Sequence, residues 1–244
     1  MTAQYGIIGY PLGHTFSPGF FNNKFTTEGI DATYRAFPIP AITDMPGLLR
    51  DHPQLRGLNV TIPYKQQVMP LLDEVTPQAA AVGAVNCIAI KDGRTIGHNT
   101  DIIGFRRSLG PVLQPWHDRA LILGSGGAAK AVEWVFREMG IRYTIVSRTA
   151  GPGRLTYEEL VPQMIQACKL VVNTTPLGMH PDTDSYPPIP YEGFTPQHLA
   201  YDLVYNPAQT QFLQRAAAYG AVTRNGLEML HLQALAGWEI WNGA

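Results

Sequence analysis

The chain has 244 residues, 45% of them hydrophobic, and a formal net charge of −1. That length supports a sizeable core, as one large domain or two small ones. There is no basic excess to neutralise a nucleic acid and no apolar run of about 18 residues to span a membrane, so neither partner is expected. Met1-Thr2-Ala3-Gln4-Tyr5 lacks a cationic stretch followed by an apolar one, so no secretory signal is expected and the chain reads as cytoplasmic. The two cysteines, Cys87 and Cys168, lie in apolar runs outside any CxxC or His-rich cluster. They read as buried thiols in a reducing compartment, with no metal site.

Tyr5 to Tyr10 forms the first strand, ended by Pro11 and Gly13. The loop His14-Thr15-Phe16-Ser17-Pro18 then opens a helix near Gly19 to Thr27, with Ser17 as N-cap and Pro18 at the first helical position. A strand follows over Ala32 to Phe37 and a helix over Met45 to Asp51. Leu58 to Ile62 alternates at period two, with Leu58, Val60 and Ile62 on one face and Asn59 and Thr61 on the other. Pro63 ends that strand, and Lys65 is expected at the start of a helix carrying Val68, Leu71 and Leu72. Thr76-Pro77 opens another helix that Gly83 closes. Val85 to Ile90, the turn Lys91-Asp92-Gly93-Arg94 and a return strand make a hairpin. A helix from about Ile102 to Leu109 is capped by Thr100 or Asp101.

Pro111 to His117 reads as a linker. Beyond it strands alternate with helices: strands at Ala120–Leu123, Tyr143–Val146, Leu170–Asn173, Ala200–Val204 and Ala221–Val222, and helices beginning near Ala128, Thr156 and Thr210. That alternation implies a parallel sheet flanked by helices. Gly226 to Trp241 is one amphipathic helix.

Gly124-Ser125-Gly126-Gly127-Ala128-Ala129 fits GxGxxA between a strand and a helix. The first glycine makes the turn, the second lets backbone approach a pyrophosphate, and the small Ala129 lets helix and strand close up. An NAD site would place an acid about 20 residues on. Here stands Ser147-Arg148-Thr149, and Arg148 suits a 2′-phosphate, which favours NADP. Arg154 is a second candidate. Lys65 can protonate the alkoxide that hydride transfer leaves on a ketone, and Asp101 can keep it charged. Equally, Lys65 reads as a solvated helix start and Asp101 as a helix cap. Thr15, Ser17, Asn59, Thr61, Asn86 and Asn99 suit a ligand with several hydroxyls, or act as turn and capping residues.

Over nearly its whole length the chain resembles the shikimate dehydrogenase family. Gly9 to Pro18 resembles the family's Ser-x-Ser-Pro substrate loop. Asn59-Val60-Thr61-Ile62-Pro63-Tyr64-Lys65 resembles the segment with the catalytic lysine. Gly83-Ala84-Val85-Asn86 and Gly97-His98-Asn99-Thr100-Asp101 resemble those bringing a substrate asparagine and the catalytic aspartate. The dinucleotide loop, Ser147-Arg148-Thr149, Asn173 to Met179, Tyr201 to Pro207 and Asn225 to Leu230 with Gln233 follow in the family's order. The resemblance implies an N-terminal α/β substrate-binding domain (residues 1–101), a C-terminal Rossmann NADP-binding domain (102–225) and a last helix (226–244) returning to the substrate domain. It implies NADPH-dependent reduction of 3-dehydroshikimate to shikimate, within aromatic amino acid biosynthesis, by a monomer or homodimer acting on a small-molecule substrate.

By the same resemblance Lys65 and Asp101 are catalytic, and Thr15, Ser17, Thr61, Asn86, Tyr205 and Gln233 bind substrate. Gly124, Ser125, Gly126, Gly127, Ala128, Ser147, Arg148, Thr149, Thr174, Leu203 and Gly226 hold the cofactor. The chain departs from the pattern in four places. Thr15 replaces a serine, Ile102 a glycine and Ser147 an asparagine, and a usual histidine is missing around Phe21-Asn22-Asn23. The chain is also short between Arg148 and Leu170. Thr15 and Ile102 keep a quinate/shikimate paralogue open as an alternative, beside a non-catalytic ligand sensor on the same fold.

Overall fold

Two six-stranded sheets organise the chain in this computed structural model, which describes residues 2–13 and 15–243. The chain up to Thr100, with the stretch from Ala234 onward, forms one compact unit; Asp101–Gln233 forms the other.

The first unit contains β1 (Ala3–Gly9), α1 (Phe16–Glu28), β2 (Ala32–Pro38), α2 (Met45–Asp51), β3 (Leu55–Val60), β4 (Glu74–Val75), α3 (Pro77–Val82), β5 (Cys87–Lys91) and β6 (Arg94–His98). Its sheet runs β2-β1-β3-β5-β6-β4. β1 lies parallel to β2 and β3, while β3–β5 and β5–β6 are antiparallel. The β5–β6 turn has Asp92 at φ 52° and Gly93 at φ 76°, the left-handed pair that an Asp-Gly hairpin demands. Ile8, Leu58, Val60 and Ile88 pack on one face with Tyr64 and Val68. Tyr5, Ile7, Phe21, Phe25 and Tyr34 pack on the other, with Trp241 from the last helix (Leu227–Asn242). The Trp241 ring stacks on Tyr5 with centroids 5.0 Å apart, and its Nε1 donates to the Ile88 carbonyl at 3.0 Å. Gly57 lies beneath it, where an added Cβ would come within 2.3 Å of the indole.

Three expectations for this unit change. α1 starts at Phe16, so Thr15, not Ser17, is its N-cap; His14 lies outside the described residues. Lys65 does not open a helix. Residues 62–68 form successive turns followed by a 3₁₀ turn at Met69–Leu71, because Pro63 and Pro70 interrupt the donor series an α-helix needs. Ile62 is 76% exposed, since the strand ends at Val60 before the alternation does.

The second unit opens with α4 (Thr100–Leu109), whose first residue closes the first unit. It contains β7 (Arg119–Leu123), α5 (Gly127–Glu138), β8 (Arg142–Ser147), β9 (Arg154–Thr156), α6 (Pro162–Ala167), β10 (Leu170–Asn173), β11 (Leu199–Asp202), α7 (Gln211–Ala217) and β12 (Val222–Arg224). The last helix is α8. All strands pair in parallel in the order β12-β11-β10-β7-β8-β9. In chain order within the unit that is 6-5-4-1-2-3, the doubly wound Rossmann arrangement, whose direction reverses between β7 and β10. Leu121, Leu123, Val146, Val171, Ala200 and Phe212 fill part of its core.

The helix expected near Thr156 is instead β9 with a 3₁₀ turn, and α6 begins only at Pro162. Glu159 accepts from the Thr156 N–H and hydroxyl at 2.7 and 3.0 Å, which ends the strand. The Pro111–His117 stretch is tied down rather than a free linker. His117 Nδ1 accepts from the Gln114 N–H at 3.0 Å, which leaves Nε2 as the donor to the Gln197 carbonyl at 3.1 Å. Cys87 is buried, Cys168 is half-buried, and both are free thiols.

Candidate active site

In the second unit, β7 delivers the chain to Gly124 at the point where strand order reverses. Gly124 has φ +109°, and a Cβ there would lie 2.7 Å from Thr174 Oγ1. Its N–H donates to the Val146 carbonyl at 2.8 Å, and Thr174 Oγ1 donates to the Leu123 carbonyl at 2.7 Å. Gly126 is the N-cap of α5 with no side-chain cap, and nothing lies within 4 Å of a Cβ built at Gly126 or Gly127. The first N–H groups of α5, at Gly127 and Ala128, therefore open onto space an anion can enter. Ala129 is fully buried, as close helix–strand packing requires.

A cleft of about 480 Å³ spreads from this loop, walled by Gly124, Ser125, Gly126, Ser147, Arg148 and Thr174 together with Tyr157, Thr175, Pro176, Leu177 and Pro188. No acid stands in that wall, which fits a phosphate on the ribose rather than free hydroxyls. Ser147 Oγ donates to the Thr149 carbonyl at 2.7 Å and shapes the turn that carries Arg148. Arg154 opens β9 and is not part of the wall. Tyr157 and Pro188 were not picked out from the sequence, whereas Thr175, Pro176 and Leu177 lie in the Asn173–Met179 motif, of which only Thr174 was named as a site residue. Thr175 had a local signal, because its hydroxyl closes an Asx-type turn on Asn173 Oδ1 at 2.6 Å.

Leu203 and Gly226 lie outside that wall but meet each other. A Cβ at Gly226 would sit 2.1 Å from the Leu203 carbonyl, so no side chain fits there. Asn173 links the ends of β10 and β11: its carbonyl accepts from the Leu203 N–H at 3.0 Å, and its Nδ2 donates to Asp202 Oδ1 at 3.0 Å. Asp202 also accepts from the Val204 N–H and the Thr210 hydroxyl. Burial nevertheless outweighs these three donors and pushes its carboxyl up to about 6. Tyr205 is 42% exposed. Gln233 is half-buried on α8 and donates to the Leu230 carbonyl at 3.0 Å; Gly104 on α4 leaves room for it, since a Cβ there would meet Gln233 Cβ at 2.8 Å. Asp101 stands half-buried in the first turn of α4.

In the first unit, Thr61, Lys65 and Asn86 gather beyond the C-terminal end of β3. The Thr61 N–H donates to the Ile8 carbonyl at 3.0 Å, the Val60 N–H to the Asn86 carbonyl at 2.9 Å, and the Val85 N–H to the Lys65 carbonyl at 2.8 Å. A buried polar chain runs beneath them. Ser17 bonds to the Tyr34 hydroxyl, which donates to Asn59 Oδ1 at 2.6 Å, and Asn59 Nδ2 donates to the Asn86 carbonyl at 3.3 Å. Asn86 Oδ1 accepts from the Thr100 N–H at 2.7 Å, so Asn86 caps α4 from another segment. Asn99 Nδ2 donates to the Ala84 carbonyl at 3.0 Å and braces the same turn. Thr15 is half-buried at the start of α1.

A Rossmann unit with an acid-free, arginine-bearing phosphate cleft, joined to a mixed α/β unit rich in amides and hydroxyls, is the class of an NADP-type dehydrogenase. Residues 7–88 match the family model described as shikimate dehydrogenase substrate binding domain. The shikimate dehydrogenase (NADP(+)) of Oleidesulfovibrio alaskensis is 43% identical over 251 residues, covering 98% of this chain and 89% of that protein. The shikimate 5-dehydrogenase of Thermus thermophilus, solved with NADP(H) and shikimate, superposes with a TM-score of 0.86 at 32% identity, covering 99% of this chain and 94% of that one. The quinate dehydrogenase of Corynebacterium glutamicum, solved with NAD, gives a TM-score of 0.88 at 30% identity, covering 100% and 94%. The chain belongs to the shikimate dehydrogenase family.

Proposed function

We propose that this chain is an NADP-dependent shikimate dehydrogenase that reduces 3-dehydroshikimate to shikimate. The observation that carries the reading is 43% identity to a shikimate dehydrogenase (NADP(+)) over 98% of the chain. The acid-free cleft around Arg148 supports NADP as the cofactor. Bound NADPH supplies the hydride, and the chain's own residues do the rest. The Lys65 ammonium donates the proton to the carbonyl oxygen and its charge stabilises the developing alkoxide. Asp101 is assigned as the carboxylate partner of Lys65. Thr15 and Ser17 hold the carboxylate; Thr61, Asn86, Tyr205 and Gln233 hold ring oxygens. The Gly124–Ala128 loop holds the pyrophosphate, Ser147 to Thr149 the 2′-phosphate, and Thr174, Leu203 and Gly226 border the nicotinamide half.

The likeness to an NAD-bound quinate dehydrogenase and the presence of Thr15 favour a second reading, a paralogue with relaxed substrate or cofactor choice. Assaying shikimate and quinate, each with NADP and NAD, separates the two. The first reading expects the highest kcat/KM with shikimate and NADP; a higher value with quinate or NAD overturns it. Lys65→Ala is expected to lower kcat by roughly 100-fold or more while NADP still binds, and near-normal turnover removes Lys65 from the chemistry. We further propose that residues 1–101, 102–225 and 226–244 act as substrate domain, cofactor domain and returning helix of a cytoplasmic enzyme, monomeric or dimeric. Among the described residues no helix is long and apolar enough to cross a membrane.

A further inference from the structure

We propose that Tyr157 donates a hydrogen bond to the 2′-phosphate of NADP and thereby helps this chain prefer NADP over NAD; this rests on the NADP reading above. β9 is a strand the sequence did not announce. It pairs in parallel with β8 in a register that sets Thr156 opposite Ser147. The next residue, Tyr157, therefore enters the same cleft wall as Ser147 and Arg148.

A phosphate dianion needs several donors, and those available at this turn can be counted. The Ser147 hydroxyl is committed to the Thr149 carbonyl at 2.7 Å, and Thr149 itself is not part of the cleft wall. Arg148 is exposed and, among the described residues, its guanidinium has no hydrogen-bond or ion-pair partner. Among the described residues the Tyr157 hydroxyl likewise has no hydrogen-bond partner, although the ring is half-buried and packs against the unit's core. A phenol held by core packing, lining a cleft with an unpaired arginine and given no partner, is a donor left available at that wall. Burial raises its pKa while the Arg148 charge pulls the other way, so it stays protonated and able to donate at neutral pH.

Tyr157→Phe tests this, because it keeps the ring, its packing and any stacking on a base and removes only the hydroxyl. Dissociation constants are measured by calorimetry for NADP, NAD, adenosine 2′,5′-bisphosphate and 5′-AMP, on the wild type, Tyr157→Phe and Arg148→Ala. Tyr157→Phe is expected to weaken NADP and the bisphosphate by about tenfold or more, leaving NAD and 5′-AMP within about twofold. Arg148→Ala should show the same selectivity. An unchanged affinity for all four probes, or an equal loss for all four, overturns the role of Tyr157 while a wild-type preference for NADP leaves the cofactor reading standing. A wild type that binds NADP no more tightly than NAD overturns both.

Discussion

The two units build their binding surfaces from different material. In the second unit the surface is mostly backbone: Gly124 at φ +109°, an uncapped helix start at Gly126, and one arginine on a turn. In the first unit it is side chains standing on a buried polar chain from Ser17 through Tyr34, Asn59 and Asn86 to Thr100. The backbone surface excludes a Cβ at Gly124, whereas the side-chain surface depends on each hydrogen-bond partner staying in place. The contrast predicts opposite responses to substitution in the two units.

The largest effect is expected where the first unit depends on one aromatic side chain. Trp241 stacks on Tyr5, caps Gly57 and donates to the Ile88 carbonyl. Trp241→Ala should cost roughly 3–5 kcal/mol in urea unfolding, the usual range for emptying a buried aromatic site. A loss below about 1 kcal/mol would mean the α8 end is not part of that core. In the second unit the matching experiment adds one methyl. Gly124→Ala needs an L-residue at φ +109° with its Cβ 2.7 Å from Thr174 Oγ1. It should weaken NADP at least about tenfold, at a strain of roughly 1–3 kcal/mol. NADP affinity unchanged in a folded variant would detach this loop from the cofactor.

Much of the second unit was legible in the sequence because its surface is written in glycines and strand ends. The GxGxxA spacing, the missing acid after β8 and the βα alternation are local, and local signals survive in a single sequence. β9 and Tyr157 were not legible, because a three-residue strand has no period and its pairing with β8 is tertiary. The first unit's motifs were legible by resemblance, but their roles were not. Asn59 alternates onto a polar face, yet it is 6% exposed and held by Tyr34 beneath the α8 aromatics. Lys65 has the apolar spacing of a helix after it, and Pro63 and Pro70 override that spacing.

Asp202 extends the comparison, as the second unit's own buried polar group. Its folded pKa, about 6, lies above the 3.8 of the free side chain. The folded state therefore keeps its proton to higher pH than the unfolded state does, and stability from this group falls as pH rises from about 4 to about 6. Asp202→Asn removes that titration. The stability difference between variant and wild type should shift by roughly 2–3 kcal/mol in the variant's favour between pH 4 and pH 7. A difference independent of pH would show that the Asn173, Val204 and Thr210 donors, rather than burial, set the carboxyl.

The smallest effect separates two jobs held by one first-unit side chain. Asn86 Oδ1 accepts the Thr100 N–H at 2.7 Å, and its Nδ2 is proposed to donate to a substrate hydroxyl. Asn86→Ala removes both and should cost about 1–2 kcal/mol, as a buried N–H loses its acceptor. Asn86→Asp keeps an oxygen for Thr100, takes away the donor and adds a buried carboxyl. With that carboxyl protonated at low pH its stability should exceed that of Asn86→Ala, while KM for shikimate rises several-fold and NADP affinity holds. If Asp and Ala behave alike in unfolding, the cap is not what Asn86 supplies. If Asp leaves KM untouched, the residue belongs to the scaffold beneath the site and not to the surface that meets the substrate.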